Sequence, residues 1–179
     1  MYLYFLSGGW CMTIALYPGS FDPITKGHLD IARRSALIFD KVIIGVYDRP
    51  NKQLLFNVSE RVEMAKKAVE DIANIEVRFY DILTVQFAKE IGARVIVRGL
   101  RMGSDFEKEF EMAILNKKLD PEIEFICFMA SLQYQFLSSS LLKEVATFNA
   151  SSCDDFVPEN VAVALHERFA QKQNSWQRK

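Results

Sequence analysis

Apolar runs rich in Val and Ile alternate with amphipathic segments along most of the chain. The apolar runs predict five short β-strands, at Thr13–Tyr17, Lys41–Tyr47, Ile75–Tyr80, Arg94–Val97 and Glu122–Phe128. Apolar residues at helical spacing predict six α-helices, at His28–Phe39, Ser59–Ile72, Thr84–Ile91, Asp105–Leu119, Ser139–Phe148 and Pro158–Gln171. Each strand is apolar on both faces, which is typical of parallel strands beneath helices. This order predicts an α/β fold, a doubly wound parallel five-stranded sheet with helices on both faces.

The predicted architecture also indicates where a ligand would bind. In doubly wound sheets, ligands lie beyond the carboxyl ends of the strands, where the strand order reverses. We therefore expect a site built from the loops at 18–27, 48–57, 98–104 and 129–139. Local signals agree with these element ends, since Gly92 follows the third helix and Asn57 and Glu60 are spaced to cap the second.

Length and charge narrow the class of protein. A chain of 179 residues predicts one domain, here 12–170, with residues 1–11 as an extension outside the fold and 171–179 as a polar tail. The net charge of −1 gives no electrostatic basis for binding long nucleic acid. No apolar stretch approaches the roughly 20 residues that span a bilayer, so no membrane partner is expected.

The cysteines indicate a reducing cellular compartment. The three residues, Cys11, Cys127 and Cys153, are odd in number and lack metal-ligand spacing, so we expect free thiols in a reducing cytoplasm and no protein metal site. Cys127 lies within the apolar run Phe125–Phe128 and is predicted to be a core residue.

The most informative segment is Pro18–Pro23, followed by Thr25-Lys26-Gly27-His28, between the first strand and the first helix. A helix N-terminus presents unpaired N–H groups and about half a positive charge, so it suits an anion. His28 could donate a hydrogen bond to charge that develops on a reacting phosphate. The alternative is that His28 only caps or packs the first helix.

Three other segments carry groups suited to phosphate. Lys52 lies in the loop after the second strand, and Arg98 and Arg101 lie on a turn after the fourth. Arginine offers a planar fork that matches phosphate oxygens. Ser138–Ser140, at the start of the fifth helix, offers hydroxyl and N–H groups as a second anion site. The plainer alternatives are a solvated lysine, a basic turn paired with the acidic residues of the next helix, and a single serine cap.

Taken in order, these motifs resemble those of nucleotidyltransferases. P-G-S-F-D-P followed by T-K-G-H is similar to the T-x-G-H signature of that superfamily, and Leu137–Ser140 is similar to its I-S-S-S string. Within the superfamily the chain resembles bacterial phosphopantetheine adenylyltransferases, from about Met12 to about Arg168. It departs from that family's pattern at Thr84, where Leu or Met is common, and at Lys108, where Tyr is common. No G-x-x-x-x-G-K-[ST] motif is present, which argues against a kinase or ATPase.

The resemblance implies a role for each matching residue. It makes His28, Lys52 and Arg101 the catalytic residues. It implies contacts with ATP from Ser20, Phe21, His28, Gly99, Arg101, Glu109, Leu137, Ser138, Ser139 and Ser140. It implies contacts with the acceptor from Ser20, Lys52, Leu83, Thr84, Arg98 and Asn116, with Arg98 on the acceptor phosphate.

The same resemblance implies an activity and its partners. The expected reaction is direct in-line transfer of the adenylyl group of ATP to 4′-phosphopantetheine, giving dephospho-coenzyme A and pyrophosphate. Mg²⁺ would be delivered with ATP, coenzyme A is a candidate feedback inhibitor, and the expected assembly is a homo-hexamer. The alternatives are transfer to nicotinamide mononucleotide, CTP-dependent transfer to an alcohol phosphate, and a nucleotide sensor without activity.

Overall fold

The computed structural model describes residues 12–48, 53–101 and 103–176. Within these residues, five strands form, namely β1 (Ile14–Gly19), β2 (Lys41–Tyr47), β3 (Ile75–Tyr80), β4 (Val95–Leu100) and β5 (Glu124–Met129). The same part of the chain forms six α-helices, namely α1 (Lys26–Ala36), α2 (Val58–Ala68), α3 (Thr84–Glu90), α4 (Gly103–Leu119), α5 (Ser139–Phe148) and α6 (Glu159–Trp176). None of the described helices is long and apolar enough to cross a membrane.

All five strands join one parallel sheet in the order β3-β2-β1-β4-β5. The order reverses between β1 and β4, whose neighbouring carboxyl ends open the crevice in which such folds bind ligands. In the centre of the sheet, Leu16 lies between Ile43 and Ile96. The predicted α/β class, strand number and parallel direction are therefore confirmed.

Alternate residues of the central strands supply two separate cores. Ala15 and Tyr17 belong to a large core that also contains buried residues of α1, α2, α5 and α6. Leu16 points into a smaller core on the opposite face, which includes Val85 and Phe87 of α3. The period-two alternation of a strand explains this division, because successive side chains leave the sheet on opposite faces.

The edge strand β5 does not follow the prediction of full burial. Cys127 is exposed, so its assignment to the core was wrong. β5 has a neighbour only on one side, and the adjacent helix α4 also carries exposed apolar side chains, among them Phe110 and Ile114, which are 55% and 57% exposed. An apolar run in the sequence indicates that a segment is buried, but it does not identify the element that covers it. In the single chain, no element covers the exposed apolar side chains of β5 and α4.

Several element ends differ from the prediction. β4 continues through Leu100, so Arg98 and Gly99 belong to the strand and not to the following turn. Two short 3₁₀ segments, Leu132–Tyr134 and Ala150–Phe156, carry no periodic signal and were not predicted. The predicted turn chemistry is confirmed at Gly92, whose φ of +71° suits glycine, and at the capping box that Asn57 and Glu60 form on α2.

Candidate active site

A cavity of about 280 Å³ lies beyond the carboxyl ends of β1 and β4. We call it the first cavity. Three parts of the chain that are distant in sequence form its walls: the β1–α1 segment, the end of β4 with the start of α4, and the segment leading into α5. Its lining includes these predicted site residues: Ser20, Phe21, His28, Arg98, Gly99, Arg101, Glu109, Leu137, Ser138, Ser139 and Ser140.

His28 both caps α1 and lines the first cavity. The hydroxyl of Thr25 accepts the His28 backbone N–H at 3.3 Å, and Nδ1 of His28 accepts the Thr25 backbone N–H at 3.0 Å. Because Nδ1 accepts this N–H, the proton of the neutral imidazole is assigned to Nε2. The capping alternative and the catalytic one are thus compatible, since the cap selects the tautomer in which Nε2 is a donor.

Arg98 and Glu109 pair directly in the cavity wall. Nε and Nη2 of Arg98 donate to the two carboxylate oxygens of Glu109 at 2.7 and 2.6 Å, and Nη1 donates to the carbonyl of Pro18 at 2.6 Å. Burial alone would lower the pKa of Arg98, but the hydrogen bond and charge of Glu109 outweigh it and raise the pKa. The carboxylate offsets much of the positive charge that Arg98 would present to an anion.

Arg101 connects two walls of the first cavity. Its Nε donates to Asp105 at 3.0 Å, and its Nη1 donates to the carbonyl of Leu137 at 3.1 Å. The guanidinium therefore lies beside the backbone that enters the serine segment. The alternative from the sequence, in which both arginines pair with acidic residues of α4, describes their contacts correctly. These ion pairs nevertheless line the first cavity.

The three serines have different local roles. The hydroxyl of Ser138 accepts the N–H of Leu141 at 3.1 Å and caps α5. The hydroxyl of Ser139 donates to the carbonyl of Pro23 at 2.8 Å, which ties α5 to the β1–α1 segment. Ser140 is exposed and lines the cavity. A single serine would have sufficed for the cap, so capping does not account for the other two.

A second cavity of about 280 Å³ adjoins the first one. The two share the wall formed by Pro18–Ser20, Arg98 and Glu109. Four of the predicted acceptor residues line this second cavity: Ser20 and Arg98 in the shared wall, and Thr84 and Asn116 elsewhere in its lining. The hydroxyl of Thr84 lies 3.1 Å from that of Tyr80, whose pKa is raised by burial despite this hydrogen bond.

Other predicted site residues lie elsewhere. Leu83 precedes α3, is 56% exposed and is not part of the lining of either cavity. Lys52 lies outside the described residues, so its predicted role is not tested. Lys108, where the sequence departs from the family pattern, is exposed. The described residues contain no group of three or more His, Cys, Asp or Glu placed to hold a metal ion.

Sequence reasoning gave no role to two buried charges behind the first cavity. Asp22 and Arg61 are the charged residues that are completely buried in the described part of the chain. Arg61 donates to the carbonyls of Ser20 at 2.7 Å and Tyr47 at 2.8 Å. Its pKa is lowered by burial, against the charges of Asp22 and Asp48. The signal available in the sequence was the charge of Asp22 within the largely apolar segment Pro18–Pro23. The partners of Asp22 are distant in sequence, so this signal does not identify them.

Comparison with known proteins gives one consistent result. The cytidylyltransferase-like family model matches residues 16–145. The phosphopantetheine adenylyltransferase of Chloroflexus aurantiacus is 50% identical over 161 residues, which cover 90% of this chain and 99% of that protein. The phosphopantetheine adenylyltransferase of Caldanaerobacter subterraneus subsp. tengcongensis is 51% identical over 158 residues, which cover 88% of this chain and 98% of that protein. The enzyme of that name from Heliobacterium modesticaldum is 51% identical over 158 residues, which cover 88% and 94% of the two chains.

Proposed function

The chain belongs to the phosphopantetheine adenylyltransferases of the cytidylyltransferase-like family, and from this we propose that it transfers the adenylyl group of ATP to 4′-phosphopantetheine. The products are dephospho-coenzyme A and pyrophosphate, so the reaction is a step of coenzyme A biosynthesis. Full-length similarity of about half the residues to enzymes of that name supports the proposal. It also favours this acceptor over nicotinamide mononucleotide and favours ATP over CTP.

One observation about the site carries the proposal. The two adjoining cavities meet at Ser20 and Arg98, so a nucleotide in the first cavity and an elongated acceptor in the second could bring their phosphates together there. Holding two reactants in this way replaces a bimolecular encounter with a positioned one, which can lower the barrier by roughly 7–11 kcal/mol.

The proposed chemistry is a direct displacement at phosphorus. A phosphate oxygen of the acceptor attacks the α-phosphorus of ATP, and the bond from that phosphorus to the bridging oxygen breaks as pyrophosphate leaves on the opposite side. Negative charge builds on the α-phosphate oxygens during this step. Nε2–H of His28 would donate to that charge, an interaction that strengthens in the transition state.

The remaining groups would hold the two phosphate-bearing ends. Arg98 would bind the acceptor phosphate, and Arg101 with Ser138–Ser140 at the start of α5 would bind the phosphates of ATP. The family resemblance gives Lys52 a place beside the reacting phosphates. Mg²⁺ would enter as part of the substrate, coordinated by ATP oxygens and water, and would neutralise charge on the leaving pyrophosphate.

Assembly, regulation and location are parts of the same proposal. The exposed apolar surface of α4 and β5 suits contact between copies of the chain, consistent with a homo-hexamer. Coenzyme A carries both an adenylyl group and a pantetheine arm, so it could occupy both cavities as a feedback inhibitor. The buried free thiol of Cys153 suits a reducing cytoplasm.

Pyrophosphate release tests the proposal. The purified protein is mixed with Mg²⁺ and ATP or CTP, and each of three acceptors is added: 4′-phosphopantetheine, nicotinamide mononucleotide and an alcohol phosphate. Turnover only with ATP and 4′-phosphopantetheine is the expected result. Turnover with another pair would identify a different nucleotidyltransferase, and ATP binding without turnover on any acceptor would identify a sensor.

A further inference from the structure

A buried carboxylate joins three segments that surround the first cavity. Asp22 has no exposed surface. Its oxygens accept the backbone N–H groups of Leu55 and Phe56, with distances of 2.9–3.1 Å, and the ammonium of Lys143 at 2.5 Å. One carboxylate therefore connects the β1–α1 segment, the segment before α2 and the first turns of α5. The residues that meet here are as much as 121 positions apart in sequence.

The partners of Asp22 satisfy both its hydrogen bonds and its charge. The two N–H groups occupy lone pairs of the carboxylate, but neutral donors leave a buried negative charge uncompensated. Lys143 supplies the compensating charge, and its side chain is only 21% exposed. The nearby buried Arg61 donates from Nε and Nη1 to backbone carbonyls, and its Nη2 lies 3.6 Å from Asp48, so its charge acts on Asp22 without a direct ion pair.

The ion pair is next to the groups that face the cavity. Asp22 is two residues after Ser20, and Lys143 is three residues after Ser140 on the helix that the serines begin. A second tie, from Ser139 to Pro23, connects the same two segments. Two walls of the first cavity are thus tied together, and neither Asp22 nor Lys143 lines the cavity.

We propose that Asp22 and Lys143 are positioning residues whose ion pair sets the separation between the His28 segment and the serine segment. The catalytic part of this inference rests on the proposed function. In-line displacement needs His28 and the phosphate-binding serines to be correctly placed around the same triphosphate. A misplacement of about 1 Å can reduce the rate about 100-fold. The ion pair affects the transition state by fixing the relative position of these two segments, and it does not contact the substrate.

Substitution of Lys143 tests the proposal. We expect Lys143→Met to lower kcat by about 10- to 100-fold while the KM for ATP changes by less than about 3-fold, because the serines that bind ATP remain. Lys143→Arg keeps the charge and should restore most of kcat. Assays are made well below the melting temperature of every variant, so that loss of folded protein does not contribute.

A matched control and a second variant complete the test. Arg33 forms an ion pair with Asp71 on an exposed surface, at 3.0 Å, so Arg33→Met makes the same kind of change in a solvated pair that lines neither the first nor the second cavity. It should retain wild-type kcat. In the Asp22→Asn background, Lys143→Met should cost less than it does alone, because the charge it compensates is already absent. A kcat for Lys143→Met within about 2-fold of wild type, or a fall equal to that of Arg33→Met, would overturn the proposal.

Amide hydrogen exchange separates this inference from the proposed function. Loss of the tie should speed exchange in residues 20–25 and 138–142 of Lys143→Met relative to wild type and Arg33→Met. If the wild-type protein releases no pyrophosphate with any acceptor, the proposed function fails. Hydrogen exchange alone then tests whether the Asp22–Lys143 ion pair holds the two segments together. Faster exchange in both segments then supports it, and unchanged exchange overturns it.

Discussion

Arg98 and Glu109 form a two-pronged ion pair in the wall that both cavities share, with N–O distances of 2.7 and 2.6 Å. The pair gives the site a cation whose charge is largely balanced before any phosphate binds. Removing one partner leaves the other with an unmatched charge in a partly desolvated place. The two residues should therefore depend on each other in binding experiments.

The first prediction uses that dependence. Arg98→Ala should raise the KM for 4′-phosphopantetheine about 100-fold, because the acceptor phosphate loses a cation and meets an unpaired carboxylate. Adding Glu109→Gln to that variant should recover part of the loss. Steady-state kinetics with each substrate varied in turn measure both effects. Equal losses in the single and double variants would show that the carboxylate does not oppose the phosphate.

The second prediction separates the two roles of His28. His28→Glu should keep the capping box on α1, because a glutamate three residues after Thr25 can accept the same N–H. It should abolish the hydrogen bond to the α-phosphate and lower kcat by at least about 100-fold. Thermal unfolding and pyrophosphate release are measured on the same samples.

His28→Ala is the matched variant for this experiment. It should lose the hydrogen bond from the Thr25 N–H to the side chain at position 28 as well as the donor, with a stability cost of about 1 kcal/mol relative to His28→Glu, while the Thr25 hydroxyl still accepts the backbone N–H of residue 28. ATP affinity in His28→Ala should change little, since the proposed interaction strengthens mainly in the transition state. Retention of wild-type kcat in either variant would remove His28 from the chemistry and leave only its capping role.

The third prediction concerns assembly through α4. Phe110 is 55% exposed and lies beside the stacked ring of Phe106, at 5.8 Å between ring centroids. Phe110→Glu should dissociate the expected hexamer, because it places a charge within an apolar contact. Sedimentation velocity gives the mass of each species.

Leu37 provides the control for that substitution. It is 87% exposed at the end of α1 and belongs to neither α4 nor β5, so Leu37→Glu should leave the mass unchanged. A wild-type protein that sediments at the 20.6 kDa of a single chain would contradict the assembly proposal.

The fourth prediction is a pH dependence of stability. On β3, hydrogen bonds from Arg78 and Lys41 lower the pKa of Glu76 to about 2. Because the pKa in the unfolded chain is higher, about 4.3, the pair stabilises the fold above that pH and loses its effect as the pH falls towards 2. Glu76 is 37% exposed, so solvent screening should limit the contribution to less than about 1 kcal/mol.

Urea unfolding of wild type and Glu76→Gln at pH 6 and pH 3 tests this effect. The wild type should lose more free energy of unfolding between the two pH values than the variant does, because the glutamine has no proton to gain. Equal losses in the two proteins would show that the ion pairs of Glu76 do not contribute to folding.

The fold and the segments that line the first cavity could be predicted because their signals are contiguous. Leu16 and Tyr17 lie in an apolar run that is typical of a buried parallel strand, and Thr25 and His28 have the spacing of a helix cap. Such patterns depend on backbone geometry over a few residues, which neighbouring sequence controls directly. Strand and helix ends were less exact, since the last turn or residue pair depends on tertiary contacts.

The pairing of charges could not be predicted in the same way. Nothing near Asp22 in the sequence indicates that Lys143, 121 residues later, is its partner. Likewise, the acidic run of α4 offered several partners for Arg98, and only the packing of that helix against β4 selected Glu109. Coulomb attraction depends on distance and burial in three dimensions, and a local pattern contains neither.

Local chemistry along the chain thus determined the parallel sheet, a helix start close to His28 and the segments proposed to bind anions, because each depends on residues that are close in sequence. The strand order also predicted that these segments meet at one site, but tertiary packing alone decided which charges pair there, that a second cavity adjoins the first, and that the apolar residues of α4 and β5 remain uncovered. The physical reason is that periodicity records the preference of a residue for burial, whereas the identity of its neighbours is settled only when distant elements pack together.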